Sequence, residues 1–225
     1  MSVALRLALQ EERADELAER VHRLLGPFSG TEVALDAGCG TGALAFALAP
    51  HVAEVVGVDA RTDYLEAARE RAPGNVRFVE GDATALPFGY GAFDLAGCLR
   101  LLHHVRWPGL VIAELARVTR PGGRILVADQ LGSVDPLRSL ELDRFERKLD
   151  PTHQRLLPDA DIRSFLDAND LVLVTFEVTR ERVDVERRFE LAAVPEEERR
   201  RIRGSAPLAP YEVEVGWYVA RKPAP

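Results

Sequence analysis

One stretch of ten residues, Val33 to Gly42, constrains the fold of this chain most strongly; it reads VALDAGCGTG. A short apolar run ends in Asp36, glycine then stands at every second position, and the apolar, helix-like run Ala43 to Ala49 follows. This order predicts a buried strand, a tight turn and a helix. Glycine permits positive φ and close approach of a ligand to the main chain, and the helix N-terminus offers free N–H groups. We therefore expect a polar, nucleotide-like ligand on this turn.

Two further carboxylates follow the next two predicted strands. Asp59 comes directly after the apolar segment Glu54 to Val58, and Asp82 lies two residues beyond the segment Asn75 to Glu80. An acid at the tip of the second strand of a doubly wound sheet can accept hydrogen bonds from ribose hydroxyls. Asp82 can accept one from an exocyclic amine such as that of adenine. Each aspartate by itself could equally be a helix cap or a turn former, but three at successive strand ends favour a ligand site.

Further segments follow in a fixed order along the chain. With the glycine turn, they are DAGCGTG from Asp36, VVGVDA ending at Ala60, GDATALPF from Gly81, FDLAGCLRLLHHV from Phe93, RPGGRILVAD from Arg120 and LDPTHQRLLPDADIRSFLDAND from Leu149. In order and spacing they resemble the class I S-adenosylmethionine (SAM)-dependent methyltransferases. The resemblance is strongest to the small-molecule branch that includes the UbiE-like quinone methyltransferases, and it covers nearly the whole chain.

The alternation of strands and helices predicts an α/β fold with right-handed parallel crossovers. The resemblance implies a Rossmann-like, doubly wound, seven-stranded sheet that is mostly parallel, with an antiparallel last strand between the fifth and the sixth. It also implies one methyltransferase domain over 1–225, with an N-terminal helical cap at 1–28 and substrate-lid insertions at 133–168 and 180–209. The other predicted elements are helices at 2–25, 61–71, 107–119, 133–148 and 158–168, a helix starting at 195–198 and ending at 199–203, strands at 93–98, 124–128, 171–178 and 211–221, and a turn at 120–123.

The resemblance also assigns the cofactor residues. Those expected to hold the methionine moiety of SAM are Asp36, Gly38, Cys39, Gly40 and Gly42. Those expected at the ribose and adenine are Asp59 for the ribose hydroxyls, Ala60 and Arg61 beside the adenine, and Asp82 and Ala83 at the adenine edge. Cys98 and Leu99 would face the methionine end; many relatives have Ser-Arg here, whereas this chain has Cys98-Leu99-Arg100. The product cofactor would be S-adenosylhomocysteine.

Candidate catalytic residues follow strands four and five. Methyl transfer from a sulfonium is an in-line displacement, so a general base is needed only if the nucleophile must lose a proton. His103, His104 and His153 are candidates because histidine titrates near neutral pH. Asp129 is a candidate because it follows the predicted fifth strand and would face the same crevice. The alternatives remain open: the adjacent histidines could be a packed pair beside Trp107, His153 a helix-cap partner, and Asp129 a plain turn residue.

Composition excludes several classes of partner. The net charge of −7 and the pI of about 5.4 argue against a general affinity for nucleic acid, which requires a basic face. The two cysteines, Cys39 and Cys98, are too few for a disulfide framework or a zinc site, and we expect them to be buried and no metal to be bound. No apolar run approaches the roughly 20 residues that span a bilayer, and no signal peptide is evident. We expect a cytoplasmic protein that could form a homodimer.

These observations predict methyl transfer from SAM to a small-molecule acceptor. The first choice is carbon or oxygen methylation of a quinone-like or polyketide-like ring, with amine methylation close behind. No Asn-Pro-Pro-Tyr run and no Pro-Cys pair occurs, which argues against nucleobase methylation by those routes. Two alternatives remain: a SAM-binding protein without catalytic activity, and a nicotinamide-dependent oxidoreductase. The latter usually carries Gly-x-Gly-x-x-Gly, whereas Ala43 takes the last of those positions here.

Overall fold

Apolar strands alternate with amphipathic helices through most of the chain. The computed structural model describes residues 2–191, 194–203 and 211–224. The strands are β1 (Val33–Ala37), β2 (Glu54–Asp59), β3 (Val76–Glu80), β4 (Phe93–Leu99), β5 (Thr119–Gln130), β6 (Val172–Val183) and β7 (Tyr211–Arg221). The helices are α1 (Val3–Glu11), α2 (Ala14–Leu25), α3 (Ala43–Leu48), α4 (Thr62–Arg69), α5 (Pro108–Val118), α6 (Pro136–Leu149), α7 (Asp159–Asp167), α8 (Val185–Leu191) and α9 (Glu196–Arg203). A 3-10 turn, Leu102–His104, lies between β4 and α5.

The strands form one seven-stranded sheet in the order β3-β2-β1-β4-β5-β7-β6. Strands β1 to β5 are parallel, and β7 runs antiparallel to both β5 and β6. This confirms the predicted sheet, including the position of the last strand. The chain builds the sheet outward from β1 in one direction and returns to add β4 on the other side. In such sheets, ligands bind at the carboxyl ends of the strands where the order reverses.

Helices cover both faces of the sheet because its central strands are apolar on both sides. One buried cluster joins the sheet to α5 and α7, and a second joins it to α2, α3 and α4. A third, which we call the outer cluster, consists of Phe145, Val183, Val185, Phe189, Ile202 and Val213. The outer cluster fastens α6, α8 and α9 to the adjoining ends of β6 and β7. Complete burial of each phenylalanine contributes about 2 to 3 kcal/mol to this packing.

The N-terminal segment differs from the prediction of one helix over 2–25. It forms two helices, and Arg13 between them has non-helical backbone angles (φ −122°, ψ 4°). The two residues at the break form ion pairs with distant elements: Glu12 with Arg187, and Arg13 with Glu181. The break lets α1 cross to α4 and α8 while α2 packs on α3. Periodicity along the chain could not reveal these partners.

Two strands are longer than predicted. Strand β5 begins at Thr119, and the predicted turn at 120–123 is an irregularity within it, because Phe93 pairs with Thr119 while Leu95 pairs with Arg124. Strand β6 extends to Val183, into the charged segment that was expected to form a lid. Its last residues pair with the start of β7, which accounts for the extension. Residues 192–193 and 204–209 of the predicted lid, and Met1 of the predicted cap, lie outside the described residues.

Two expectations from composition concern the chain as a whole. Cys39 and Cys98 are free thiols and both are buried, as expected. Within the described ranges, no helix has both the length and the apolar character needed to cross a bilayer.

Candidate active site

The glycine turn joins β1 to α3 at the carboxyl edge of the sheet. Gly38, Gly40 and Gly42 have φ values of 68°, 55° and 91°, in the left-handed region that side-chain-bearing residues avoid. Gly38 also leaves no room for a side chain, because a Cβ there would lie 2.4 Å from Leu101 Cδ1. The conformation and the packing of the turn therefore both require glycine.

Asp36, the last polar residue before the turn, is buried with one carboxylate oxygen unsatisfied. Oδ2 accepts a hydrogen bond of 3.0 Å from the amide of Ala45, whereas Oδ1 has no partner among the described residues. Burial, together with the charge of Asp59, raises the pKa of Asp36 to about 7. A buried acceptor without a donor is costly and rare in native proteins. Oδ1 is therefore a position where a donor from a ligand would be favoured.

Asp59, at the end of β2, holds the turn in place. Its Oδ2 accepts a hydrogen bond of 2.7 Å from the Gly40 amide, and its Oδ1 accepts one of 2.9 Å from the Arg61 amide. Each carboxylate oxygen has a second lone pair, so Asp59 keeps the capacity to accept from a ribose hydroxyl. The Arg61 guanidinium pairs with Asp63 and stacks 3.7 Å from the centroid of the Tyr64 ring. Ala60, between Asp59 and Arg61, is exposed.

Asp82, after β3, forms a local turn. Its Oδ1 accepts hydrogen bonds from the Thr84 amide (2.8 Å) and the Thr84 hydroxyl (2.7 Å). This is the turn-forming role that the sequence left open, and Asp82 is exposed. Ala83 is buried in the cluster beneath α5. The adenine contacts of these two residues stay predictions.

The end of β4 departs from the expected pattern. Cys98 is completely buried in the apolar cluster, and burial, with the charges of Asp129 and Asp36, raises the pKa of its thiol. The next residue, Leu99, is partly buried and lies at the glycine turn. Arg100 has a positive φ of 54° and forms an ion pair with Glu181, which also binds Arg13. Sequence reasoning assigned no role to Arg100.

Two cavities adjoin each other at this edge of the sheet. The first, of about 220 Å³, lies over the glycine turn; its lining includes Asp36, Gly38, Cys39, Thr41 and Leu99. The second, of about 240 Å³, lies beyond the end of β4; its lining includes His103, His104, His153, Leu149, Phe189 and Ile202. Arg6, Arg100 and Gln130 line both cavities. Several predicted cofactor residues line neither of these two cavities: Gly40, Gly42, Asp59, Ala60, Arg61, Asp82, Ala83 and Cys98.

His103 and Asp129 form a buried pair between β4 and β5. Nδ1 of His103 is hydrogen-bonded to Oδ1 of Asp129, and the exposed fractions of the two residues are 7% and 1%. The amides of Leu102 and Gln130 donate to the same carboxylate at 2.6 and 2.7 Å. Burial opposes ionisation of Asp129, but its interaction with His103 and the hydrogen bond from the Gln130 amide outweigh burial and hold the carboxyl pKa below its usual range. Asp129 is thus an acceptor whose ionised form is favoured, and its hydrogen bond orients His103.

The environment of His104 strongly shifts the pKa of its imidazole. Burial, with the proximity of His103, lowers the pKa of His104 to about 3, so its imidazole is neutral at physiological pH. Its Nδ1 lies 3.0 Å from Thr152 Oγ1, and that hydroxyl donates to Asp150, whose carboxyl pKa is lowered to about 2 because hydrogen bonds from Thr152 offset its burial. The single hydroxyl proton is therefore used, and Nδ1 of His104 is the donor to Thr152.

His153 closes one side of the second cavity. Its Nε2 is hydrogen-bonded to Asp143 Oδ1 at 2.8 Å, and the same oxygen accepts from the Leu156 amide. The ring lies 5.5 Å from that of His103, between centroids. This pairing ties α6 to the segment after it. The cavity therefore brings together all the histidines proposed for catalysis, each with its own oxygen partner.

The fold and the glycine turn define the class of protein. This chain has the class I methyltransferase architecture, which confirms the resemblance inferred from its motifs. Residues 34–123 match the family model described as a methyltransferase domain. This matched segment contains the glycine turn, nearly all of β1, strands β2 to β4 and both adjacent histidines.

Individual relatives agree with this class. The uncharacterized methyltransferase YcgJ of Bacillus subtilis is 35% identical over 141 residues, which are 61% of this chain and 56% of YcgJ. A demethylmenaquinone methyltransferase of Clavibacter sepedonicus is 35% identical over 137 residues, 60% of this chain and 56% of that protein. The chain spans about half the length of these curated relatives.

Solved structures extend the likeness over nearly the whole chain. The crystal structure of YcgJ has a TM-score of 0.84 at 23% identity and covers 94% of this chain and 100% of its own. A geranyl diphosphate C-methyltransferase of Streptomyces coelicolor, in complex with Mg²⁺, geranyl diphosphate and S-adenosyl-L-homocysteine, has a TM-score of 0.66 at 20% identity, covering 92% of this chain and 78% of its own. At these identities the likeness concerns the fold.

Proposed function

We propose that the protein transfers the methyl group of SAM to a hydroxyl group of a small, largely apolar acceptor. The observation that carries this proposal is the buried pair of His103 and Asp129. His103 lines the second cavity, which adjoins the cavity over the glycine turn. A methyl donor in the first cavity and an acceptor in the second would meet at the border between them.

The first cavity and the glycine turn beneath it fit SAM. Asp36 and Gly38, which line the cavity, would hold the methionine moiety together with Gly40 and Gly42 of the turn, and Asp59, at the end of β2 outside the cavity lining, would meet the ribose. The buried Oδ1 of Asp36, unsatisfied among the described residues, supports this assignment, because it requires a donor such as an ammonium group. SAM supplies an electrophilic methyl group on a sulfonium. The protein's part is to orient this donor and to exclude water from the path of transfer.

His103 is the group best placed to remove a proton. Because ionised Asp129 only accepts, Nδ1 of His103 carries a hydrogen, and in the neutral form of the ring the lone pair is on Nε2. That nitrogen would take the proton of the acceptor hydroxyl as the oxygen attacks, and Asp129 would stabilise the imidazolium that forms. His104 and His153, also predicted as catalytic, would position the acceptor; the depressed pKa of His104 makes it the weaker base.

This arrangement favours a hydroxyl over an amine acceptor. A hydroxyl must lose its proton on methylation, whereas a neutral amine attacks without a base. The volume of about 240 Å³ and the apolar side chains of Leu149, Phe189 and Ile202 suit one or two rings. The name of the Clavibacter relative, a demethylmenaquinone methyltransferase, supports a quinone-derived ring as the skeleton of the acceptor.

We also propose that the acceptor cavity is covered by parts of the two segments predicted as lids. Helices α6, α8 and α9 contribute Leu149, Phe189 and Ile202 to it. Helix α7 packs instead on α5, with Ile162 in the main core, so only part of 133–168 would serve this role.

The test is a methyl-transfer assay preceded by calorimetry. The purified protein is titrated with SAM, S-adenosylhomocysteine and NAD, then incubated with methyl-labelled SAM and matched phenols, quinols and anilines. We expect binding of both sulfur ligands but not NAD, and transfer to hydroxyl acceptors. Binding of NAD alone would refute the cofactor assignment. Label transfer confined to anilines would refute the hydroxyl assignment, and cofactor binding without transfer to any acceptor would favour a non-catalytic SAM-binding role.

A further inference from the structure

Arg6 of α1 lies directly over the glycine turn, and its guanidinium forms no direct ion pair or hydrogen bond with another described residue. Its Nη2 would lie 3.3 Å from a Cβ built on Gly40. The side chain is half-buried and makes no hydrogen bond or ion pair within the described part of the chain; its closest aromatic partner is Tyr64, 5.9 Å from the ring centroid. Arg6 also lines both cavities. A partly desolvated guanidinium in this position favours an anionic partner.

Contacts along α1 hold Arg6 in this place. Leu5 is buried beside it, Gln10 is hydrogen-bonded to Thr41 of the glycine turn, and Glu11 forms an ion pair of 3.0 Å with Arg71. The position of Arg6 over the turn therefore follows from the packing of the helix.

Asp36 lines the same first cavity and needs a hydrogen-bond donor, whereas Arg6 needs an acceptor. Among the described residues, its Oδ1 is a buried acceptor without a donor, whereas the Arg6 guanidinium is a set of donors without an acceptor. The other buried cation at the cavity, Arg100, already shares Glu181 with Arg13. One unsatisfied acceptor and one unsatisfied cation on one cavity are complementary to a ligand group that carries both charges. An α-amino acid terminus, with its ammonium and its carboxylate, is such a group.

We propose that Arg6 binds the α-carboxylate of the methionine moiety of the cofactor, while Asp36 accepts a hydrogen bond from its α-ammonium group. This inference rests on the proposed SAM site and adds to it a residue outside the segment matched by the family model. It makes the N-terminal helix part of the cofactor site. Binding of the cofactor would then also fix α1 over the turn.

The test compares two ligands that differ only in the amino acid part. S-adenosylhomocysteine carries it, and 5′-methylthioadenosine has the same adenosine and thioether without it. Calorimetry is done on the wild type, Arg6→Met and Arg77→Met. Loss of a charge-assisted contact is expected to weaken S-adenosylhomocysteine binding roughly 10- to 100-fold in Arg6→Met. The affinity for 5′-methylthioadenosine should be unchanged. Arg77→Met removes an exposed ion pair with Glu54 that touches neither α1 nor either cavity, and should change neither affinity.

The outcomes separate this inference from the proposed function. A wild type that binds neither ligand refutes the SAM site itself. An Arg6→Met protein that keeps its full affinity for S-adenosylhomocysteine, or that loses affinity for both ligands equally, refutes only the role of Arg6. If Arg6→Met fails to fold, Arg6→Lys is measured in its place; it keeps the charge but not the planar fork, and a selective partial loss for S-adenosylhomocysteine is then expected.

Discussion

His103 and Asp129 stand 26 positions apart in the chain, yet they share a hydrogen bond at the buried junction of β4 and β5. The register of these parallel strands places Leu99 beside Ala128, so the turn after β4 begins next to Asp129. The Asp129 carboxylate also accepts the amide hydrogens of Leu102 and Gln130. One side chain thus fixes the turn and orients the imidazole.

The two adjacent histidines should differ in their effect on catalysis. His103→Asn removes the proposed base, so we expect methyl transfer to fall about 10²- to 10⁴-fold. Binding of S-adenosylhomocysteine should stay close to that of the wild type, because the His103 side chain faces the acceptor cavity. His104→Asn, the matched control, should lower the rate by less, mainly through KM. Steady-state kinetics and calorimetry on both variants check this, and a larger loss of kcat in His104→Asn would reverse the assignment.

Removing the carboxylate of Asp129 should destabilise the protein strongly. Asp129→Ala leaves three buried amides, those of Leu102, His103 and Gln130, and one imidazole without their acceptor, and we expect a loss of about 3 to 5 kcal/mol in the free energy of unfolding. Asp135→Ala provides the comparison, since Asp135 is an exposed N-cap of α6 that accepts from the Leu137 amide. Its loss should be about 1 kcal/mol. Urea denaturation of the two variants measures both values, and equal losses would show that Asp129 is not the structural acceptor described here.

Stability should depend on pH through Asp36. Its folded-state pKa of about 7 lies above the ordinary value of 3.8, so the folded state holds this proton more tightly than the unfolded state. The unfolding free energy therefore falls as pH rises from about 4 to 7, and the loss is complete above the folded-state pKa. Asp36→Asn removes this dependence. The difference in stability between variant and wild type should grow by roughly 3 kcal/mol in favour of the variant between pH 5 and pH 8.

The neighbours of Asp36 contribute to its pKa and therefore to the size of this pH dependence. Asp59 raises its pKa further, whereas Arg6 and the Ala45 amide lower it. Urea unfolding curves at several pH values, without added ligand, test the prediction. A constant difference across the range would mean that Asp36 is ionised throughout.

The glycine turn should be more sensitive to substitution than an open glycine with similar backbone angles. Gly38→Ala combines a positive φ with a contact of 2.4 Å to Leu101, whereas Gly30 has a φ of 79° and no atom within 4 Å of the added Cβ. We expect Gly30→Ala to cost about 1 kcal/mol from backbone strain alone. Gly38→Ala should cost more and also weaken S-adenosylhomocysteine binding. Thermal unfolding and calorimetry of the pair check this; equal costs would remove the packing argument.

The strands, the glycine turn and the carboxylates at the strand ends could be predicted from the sequence, because they depend on local dihedral preferences and on short-range periodicity. Asp36 and Asp59 follow apolar runs, and parallel strands end at a common edge of the sheet. The position of β7 between β5 and β6 came from resemblance to a family. The predicted strand boundaries were wrong where pairing with another strand determines them. Strand β6, for example, continues through a charged segment to Val183 because β7 provides its partner.

The tertiary structure alone decided which polar groups are satisfied. Two adjacent histidines look equivalent in the sequence, but only His103 meets Asp129, because the strand register and the 3-10 turn bring them together. Arg6 lies over the glycine turn because α1 breaks from α2 and crosses the sheet edge. Such contacts join residues far apart in the chain, and their energy depends on burial and on the presence of a partner, neither of which short-range periodicity records.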